Sequence, residues 1–324
     1  MEKSKLPLVS FCIVTWNTSK YIVETLECAK NQTYQNIELI VSDDCSTDNT
    51  IAIVEDWIKK NGNRFVRTEI ITVSQNTGEA ANKNRAERAC KGDYIKSLDG
   101  DDLVDPSFIE KCVNILQNNP EYSFVFTKTY SLLESEHKSY MDDESHYKSG
   151  DIFKEIFMVD FWLRTTAWFF KNEISVKTHY NEDMFLSVDY LRSLQIAKLY
   201  KIYYLDEYLT YYRRHDDNMK KENNKWIKKG MFKYFESQMI AISFFKDYYL
   251  YENRKERILK YLIAEAVSYR PSYLIKMSIK YRRFEYLKIY YNSIVKEIRA
   301  LIKNTMLFKI LRQTKLWKKI KGEI

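Results

Sequence analysis

Short apolar runs rich in β-branched residues alternate with segments of helical periodicity through the first 130 residues of the chain. The apolar runs cover residues 8–15, 37–41, 66–73 and 94–98. Between them, apolar residues recur at helical spacing over 21–29, 51–58 and 79–90. Continuous apolar runs of this length are typical of strands covered on both faces. The alternation therefore predicts an α/β fold with a doubly wound, mainly parallel sheet flanked by helices.

Polar side chains follow each of the predicted strands at the point where the strand ends. They are Thr15 and Asn17 after the first strand, Asp43 and Asp44 after the second, Asn76 after the third, and Asp99, Asp101 and Asp102 after the fourth. The carboxyl ends of parallel strands share one edge of a sheet, and open α/β sheets bind ligands at that edge. The sequence therefore predicts one polar ligand site built from all four strand ends.

The acidic turn Ser97-Leu98-Asp99-Gly100-Asp101-Asp102 is the densest of these groups. Asp105 and Pro106 follow it and predict a helix over 107–118 with Asp105 as its N-cap. Taken alone, such a turn is more often a solvated acidic loop than a site. However, carboxylates this close repel one another unless a cation neutralises them, and hard oxygen ligands suit Mg²⁺ or Mn²⁺ carrying a nucleoside diphosphate.

Glycine-rich phosphate loops are absent from the sequence. Neither G-x-G-x-x-G nor G-x-x-x-x-G-K-[ST] occurs, which disfavours a dinucleotide fold or a P-loop. If a diphosphate binds, a metal ion must provide the neutralisation that glycine amides provide elsewhere.

The charge of the chain changes sign near residue 220. Residues 1–219 carry 26 Lys and Arg against 35 Asp and Glu, whereas residues 220–324 carry 26 against 9. Helical periodicity and interleaved cationic and aromatic residues predict an all-α basic extension over 220–324. Three interpretations stay open: a surface that binds an anionic membrane, which is favoured; a helical bundle packed on the first region or on a second copy; and, least favoured, nucleic-acid binding.

Cysteine usage and hydropathy indicate the compartment. Five cysteines, at positions 12, 28, 45, 90 and 112, form no C-x-x-C pair, which fits reduced thiols better than disulfides or a zinc site. The N-terminal residues do not resemble a signal peptide, and no apolar stretch approaches the ~18 residues of a membrane span. We expect a cytoplasmic protein, peripheral on the inner face of the cell membrane.

Four segments taken together carry a resemblance. They are VSFCIVTWN at 9–17, ELIVSDDCSTD at 38–48, NTG at 76–78 followed by Lys83-Asn84, and GDYIKSLDGDD at 92–102. This combination resembles the nucleotide-sugar half of family 2 glycosyltransferases, which have the glycosyltransferase A fold. The resemblance covers residues 7–130. It implies a catalytic domain over 1–219, with an acceptor half at 131–219.

The resemblance implies a role for each matching residue of the donor half. Thr15 and Asn17 would line the nucleotide, Asp44 would bind a uracil-type base, Asp99 would face the ribose, and Asp101 would bind the metal ion with Asp102 close by. Lys83 stands where the family has arginine. It keeps the positive charge near the diphosphate but lacks the bidentate fork.

The acceptor half must supply a carboxylate that takes the proton of the attacking hydroxyl. The pair Glu182-Asp183 looks like the family's Glu-Asp pair, but the distance to the segment 201–215 favours Asp189, with Val188 in the place of the glutamate. Asp183 remains the alternative. His215 resembles the histidine that closes over the metal ion and the diphosphate, and Arg213 is expected to pair with phosphate oxygens.

The function implied by the resemblance is that of an inverting, bacterial-type glycosyltransferase. It would use a UDP-sugar with Mn²⁺ or Mg²⁺ and glycosylate a hydroxyl of a lipid-linked or polysaccharide acceptor in capsule, O-antigen or other surface-glycan synthesis. The basic helices are expected to contact an anionic membrane or a second copy, and no nucleic acid. The alternative is a non-catalytic sugar- or nucleotide-binding assembly subunit, since Val188 and Lys83 depart from the family pattern.

Overall fold

The computed structural model describes residues 6–133, 138–141, 147–158, 163–184, 187–214, 235 and 237–269, and the single residues 279, 288 and 291. The strands in this part are β1 (Val9–Thr15), β2 (Ile37–Asp43), β3 (Thr68–Ile71), β4 (Tyr94–Asp99), β5 (Leu103–Val104), β6 (Tyr122–Leu133), β7 (Lys138–Met141), β8 (Trp168–Lys171) and β9 (Lys201–Arg214). The helices are α1 (Ile22–Lys30), α2 (Thr50–Asn61), α3 (Glu79–Ala89), α4 (Phe108–Asn118), α5 (Phe153–Met158), α6 (Glu173–Lys177), α7 (Val188–Leu199) and α8 (Tyr251–Tyr269).

All these strands lie in one mixed sheet with the order β3-β2-β1-β4-β8-β6-β9-β5, and β7 pairs with β6. The first four strands of the order are parallel, which confirms the prediction. Farther along, β8 is antiparallel to both β4 and β6, while β6 and β9 are parallel. The sheet is therefore doubly wound in the first half of the chain and mixed in the second.

The register of the central strands brings their polar ends together. Val14 of β1 pairs with Asp99 of β4, and Thr15 pairs with Asp43 of β2. Every residue of β1 and β2 is buried, as expected for strands that are covered on both faces.

Each face of the sheet has its own apolar core. On one face, α1, α2 and α4 pack against β1 and β2 through residues such as Leu26, Val54 and Phe108. On the other face, α3, α5, α6 and α7 pack around Trp168 and Phe170. Helices thus flank the sheet on both sides, as the alternating pattern predicts.

Part of the basic C-terminal region packs on this second core. A helical segment over 237–243 and the first turns of α8 contribute Ile242, Ile258 and Leu262 to it. Tyr248 lies edge-on to Phe157 of α5, with ring centroids 5.0 Å apart. For residues 237–263 the structure shows packing on the α/β domain, and within the described ranges no helix is long and apolar enough to cross a membrane.

One local expectation differs from the structure. Helix α4 begins at Phe108 with Ser107 as the N-cap, and Asp105 accepts hydrogen bonds from the Ser107 amide (2.8 Å) and hydroxyl (2.6 Å). Asp105 therefore orders the turn before the cap. Strand β9 is continuous from Lys201 to Arg214. The five cysteines are free thiols.

Candidate active site

The end of β1 forms the first wall of the site. Asn17 lies in the left-handed region (φ 55°) that asparagine tolerates, and its side-chain oxygen accepts a hydrogen bond from the Thr47 amide at 2.8 Å. Asn17 is exposed at the strand edge, whereas Thr15 is buried and its hydroxyl is hydrogen-bonded to Thr18. The predicted nucleotide-lining residues are therefore at the expected edge.

Gly100 lets the acidic turn approach this wall. A Cβ atom at position 100 would lie 3.0 Å from the hydroxyl oxygens of both Thr15 and Thr18. Such a distance is tighter than ordinary van der Waals contact, so the close approach favours glycine here.

Asp44 holds the loop that precedes α3. Its carboxylate accepts hydrogen bonds from the Thr77 amide (2.9 Å) and hydroxyl (2.5 Å), the Gly78 amide (2.7 Å) and the Arg85 guanidinium (3.0 Å). Burial would raise the pKa of Asp44, but these hydrogen bonds from Thr77, Arg85 and Gly78 outweigh it and lower the pKa. A carboxylate has about four acceptor positions, so all are used within the protein, and Asp44 shapes the 76–78 loop beside the predicted base site.

The three aspartates of the acidic turn have different surroundings. Asp99 and Asp101 are partly exposed, whereas Asp102 is 1% exposed. The carboxylate of Asp102 accepts hydrogen bonds from the Thr166 hydroxyl (2.5 Å) and the Arg213 amide (2.9 Å). The sequence placed Asp102 beside the metal ion, but its buried carboxylate is directed at β9 and at the 165–167 turn, whereas Asp101 is partly exposed.

Lys83 is the junction of the site. Its side chain is 1% exposed, and its ammonium nitrogen lies 2.6 Å from Glu79 and 3.6 Å from both Asp99 and Asp189. Asp99 ends β4 in the donor half, and Asp189 lies in the first turn of α7 in the acceptor half. One buried cation therefore joins an acid from each half.

The charges at this junction are set by burial and by mutual contact. Burial opposes the charged form of Lys83, but Asp189, Asp99 and Glu79 raise its pKa well above the usual value. Burial raises the pKa of Asp99 to about 7 against the opposing effect of Lys83, with repulsion from Glu79 and Asp101 adding to the rise. Lys83 thus stays protonated, whereas Asp99 is only partly ionised near neutral pH.

Asp189 has the properties of a general base. Burial raises its pKa while Lys83 opposes the rise, and a base is most effective when its pKa is moved toward the working pH. Its Oδ1 atom is buried, lies 3.6 Å from the Lys83 ammonium nitrogen and has no hydrogen-bond partner in the described structure. The preceding Ser187 lies in the left-handed region (φ 58°), a strained conformation of the kind that clusters at functional sites.

The competing acid Asp183 lies elsewhere. It is exposed, and it is not one of the carboxylates around Lys83. Its neighbour Glu182 accepts a hydrogen bond from the Asn84 side chain at 2.8 Å. The structure therefore gathers Asp189 with the donor-half acids and leaves Asp183 at the surface.

Arg213 differs from the expectation of a phosphate ligand. Its guanidinium donates to the Glu24 carboxylate at 2.7 Å and to the backbone oxygen of Asp101 at 2.9 Å, and it lies over the Tyr21 ring. In this conformation Arg213 ties β9 to α1 and to the acidic turn. His215, which the sequence assigned to the metal site, lies outside the described residues.

Sequence reasoning missed three contributors: Glu79, Arg85 and Thr166. Glu79 precedes Lys83 by four residues at the start of a helix, a spacing that favours an ion pair and could have been read from the sequence. Arg85 and Thr166 act on Asp44 and Asp102 from distant positions, and no local pattern marks such contacts.

The oxygen donors at the mouth fit a hard divalent cation. Within the described residues, no ready-made cluster of three acidic, histidine or cysteine ligands is present. Asp101 is nevertheless partly exposed and close enough to Asp99 for its repulsion to add to the rise in the pKa of Asp99. A carboxylate in such an acidic surrounding suits Mg²⁺ or Mn²⁺ that keeps other ligands from water and phosphate.

Comparisons with known proteins agree with this architecture. The family model described as glycosyl transferase family 2 matches residues 10–174. Chondroitin synthase of Escherichia coli is 36% identical over 124 residues, which are 38% of this chain and 17% of that protein. The uncharacterized glycosyltransferase MJ1057 of Methanocaldococcus jannaschii is 30% identical over 209 residues, 64% of this chain and 71% of the relative. This chain spans less than half the length of several curated relatives that it matches.

Solved structures share the fold at low sequence identity. The Staphylococcus aureus TarS 1–349 complex with UDP-GlcNAc aligns with a TM-score of 0.60 and 17% identity over 88% of this chain and 79% of that one. The mannosyltransferase PcManGT of Pyrobaculum calidifontis, in complex with GDP-Man and Mn²⁺, aligns with a TM-score of 0.56 and 15% identity over 93% and 89% of the two chains. The described part of this chain has the glycosyltransferase A fold.

Proposed function

The chain belongs to glycosyl transferase family 2, and we propose on that basis that it is an inverting glycosyltransferase that moves a sugar from a UDP-sugar to an acceptor hydroxyl. The observation that carries the proposal is the Lys83 junction. Asp99 of the donor half and Asp189 of the acceptor half lie on one buried ammonium group, each 3.6 Å away. An inverting transfer needs this arrangement, because the donor and the base must meet at one anomeric carbon.

In this proposal each half has a separate task. Asp189 accepts the proton of the acceptor hydroxyl at its carboxylate as that hydroxyl attacks. Asp101 would hold Mn²⁺ or Mg²⁺, and His215 would reach the same ion. When bound, the ion stabilises the negative charge that develops on the leaving diphosphate.

The walls of the nucleotide site follow from the contacts at the strand ends. Thr15 and Asn17 border the nucleotide, while Asp44 holds the 76–78 loop at its side through four hydrogen bonds. Arg213 orders the acidic turn by donating a hydrogen bond to the backbone oxygen of Asp101. Its guanidinium would have to break its contact with Glu24 to reach a phosphate.

The acceptor is proposed to be a lipid-linked or growing glycan of the bacterial surface. The relatives that carry polysaccharide-synthase names, the chondroitin synthases and a hyaluronan synthase, support this class. The 26 basic residues of the 220–324 region would place the domain at an anionic membrane surface, which holds such acceptors. Packing of a second copy on the same helices is the competing use.

Calorimetric titration of UDP and of GDP, with and without Mn²⁺, tests the donor site. We expect Mn²⁺-dependent binding of UDP that is lost in Asp101→Ala. The matched control is Asp56→Ala, an exposed acid of α2 that pairs only with Lys60 at the surface in the described structure, and it should bind as the unchanged protein does. Absence of binding by either nucleotide would contradict the proposal.

Release of UDP from UDP-sugars separates the enzyme from a binding subunit. The enzyme should show slow metal-dependent hydrolysis of its donor even without acceptor. Metal-dependent UDP binding combined with no turnover across a panel of UDP-sugars would favour a non-catalytic assembly subunit. Val188, which stands in the place of the family's glutamate and is buried, is the observation behind that second candidate.

A further inference from the structure

We propose that helix α3 fixes the position of the base: Lys83, Asn84 and Glu87 bind Tyr180, Glu182, Asp189 and Arg192, and Lys83 is a positioning residue for Asp189 rather than a ligand of the donor diphosphate. The inference rests on the proposed function, since it concerns the same transfer. It departs from the role that the family resemblance implies for position 83.

The side chain of Asn84 binds the backbone of the chain that precedes α7. Its amide group donates a hydrogen bond to the backbone oxygen of Tyr180 at 2.9 Å, and its oxygen accepts one from the backbone amide of Tyr180 at 3.0 Å. A second donated hydrogen bond reaches Glu182. Asn84 is 3% exposed, so this contact lies within the domain and leaves no free group for a ligand.

Glu87 holds α7 itself, one helical turn farther along α3. Its carboxylate receives two hydrogen bonds of 2.6 Å from the Arg192 guanidinium. Arg192 is fully buried, with its guanidinium carbon 4.2 Å from the centroid of the Tyr180 ring. A bidentate pair of this kind fixes distance and orientation together.

Lys83 completes a ladder of two ion pairs between the helices. Lys83 and Glu87 are four residues apart on α3, and their partners Asp189 and Arg192 are three residues apart on α7. Residues at these spacings lie on one helical face. The two pairs therefore fix the register of α7 against α3, and with it the position of the Asp189 carboxylate.

The surroundings of Lys83 oppose a role in binding a diphosphate. Its ammonium group donates a hydrogen bond to Glu79 at 2.6 Å, and the carboxylates of Asp99 and Asp189 lie at ion-pair distance, each 3.6 Å away. To reach a phosphate, the nitrogen would have to move away from these carboxylates. Without the ammonium group between them, the carboxylates would repel one another. The left-handed Ser187 just before α7 also indicates that the start of the helix is imposed by contacts rather than by local preference.

The first test compares nucleotide binding with turnover in Lys83→Arg and Lys83→Met. We expect the Kd of UDP with Mn²⁺ to change less than about threefold in both variants, while kcat for donor turnover falls about 10-fold in Lys83→Arg and about 100-fold in Lys83→Met. If Lys83 instead binds the diphosphate, arginine should retain or tighten UDP binding with kcat maintained, and methionine should weaken binding at least 10-fold. Either of those results overturns the proposal, and the binding measurement decides even if no sugar donor is turned over.

The second test combines Lys83→Arg with Asp189→Asn. If Lys83 acts through Asp189, the double variant should turn over no more slowly than Asp189→Asn alone. Independent, multiplied losses would contradict the proposal. Should Asp189→Asn itself leave turnover unchanged, the base assignment of the proposed function fails, and intact UDP binding in both Lys83 variants would no longer support a positioning role.

Lys177→Met is the matched control for both tests. Lys177 also pairs with a glutamate four residues away, at 3.4 Å from Glu173, but on the surface of α6. We expect unchanged UDP binding and turnover. Thermal unfolding of each variant confirms that the domain is folded. If Lys83→Met is not folded, the prediction is decided by Lys83→Arg, which keeps the charge.

Discussion

Two lysine ammonium groups are buried beside the acidic turn, and their surroundings differ. Lys83 lies among three carboxylates, of which Glu79 is exposed and Asp99 and Asp189 are partly exposed. Lys96, in β4, donates to the backbone oxygens of Ser97 (2.8 Å) and Thr166 (2.5 Å), and its nitrogen lies 4.8 Å from the centroid of the Phe108 ring. In the described part of the chain no carboxylate lies within ion-pair distance of Lys96.

The comparison shows that partners, and not burial, decide the charge of a buried lysine. Burial opposes the charge of both groups, yet the carboxylates around Lys83 raise its pKa well above the usual value, whereas burial lowers the pKa of Lys96 to about 8. Alternation along β4 sends Asp99 toward α3 and Lys96 toward α4. One strand therefore serves a charged site on one face of the sheet and a closed core on the other.

The largest expected effect concerns the base at the Lys83 site. Asp189→Asn keeps the shape of the side chain but removes its ability to accept a proton, so kcat for transfer should fall on the order of 10²–10⁴-fold. UDP binding should be retained, because Asp189 lies on the acceptor side. Assays of Asp183→Asn beside it decide the assignment: a loss confined to Asp183→Asn would place the base at the surface pair.

How far the sequence could predict this site depends on the range of the contacts. The strands β1, β2 and β4 and the acidic turn follow from local apolar runs and turn residues, and the structure confirms them within a few residues. The resemblance of the 7–130 segments also gave the family, because those motifs are contiguous.

The contacts that decide roles were not readable in this way. The ladder from Glu87 to Arg192 joins residues 105 positions apart, and Thr166 reaches Asp102 across 64 positions. Such pairs form only when α7 and the 165–167 turn pack on the sheet, so no local sequence pattern predicts them. For the same reason, the sequence predicted that Asp102 lies near a metal ion but did not predict that its carboxylate accepts a hydrogen bond from the Arg213 amide.

The pH dependence of stability tests the Lys96 side of the comparison. Its pKa is near 8 in the folded state and 10.5 in the unfolded chain, so the unfolded state binds more protons between these values and folding stability gains as pH rises through that window. From pH 7 to pH 9.5 the unchanged protein should gain about 2 kcal/mol relative to Lys96→Met. Urea unfolding at both pH values measures this difference, and an equal response of the two proteins to pH would show that burial does not lower the pKa of Lys96 in the folded state.

Loss of the Lys83 charge should lower the free energy of unfolding. Lys83→Met leaves Asp99, Asp189 and Glu79 without their shared cation, so the variant should unfold more easily by about 1–2 kcal/mol at pH 7, less than for a fully buried pair because these carboxylates are partly exposed. The contribution of Lys83 is present below its unfolded pKa and is lost only as pH rises through its higher folded pKa. A variant as stable as the unchanged protein would mean that the carboxylates are neutral without it.

The smallest effect is expected at Asp102. Its carboxylate accepts a hydrogen bond from the Thr166 hydroxyl, and the backbone oxygen of Thr166 accepts one from Lys96. Asp102→Asn keeps an acceptor for the Arg213 amide, and the Thr166 hydroxyl can turn to accept from the new amide group, so stability should change by less than about 1 kcal/mol. Mn²⁺-dependent UDP binding should stay within about threefold of the unchanged protein, in contrast to its loss in Asp101→Ala. Calorimetry on the two variants side by side separates the roles of these neighbours. Loss of metal-dependent binding in Asp102→Asn would return this residue to the metal site, since its two protein hydrogen bonds survive the substitution.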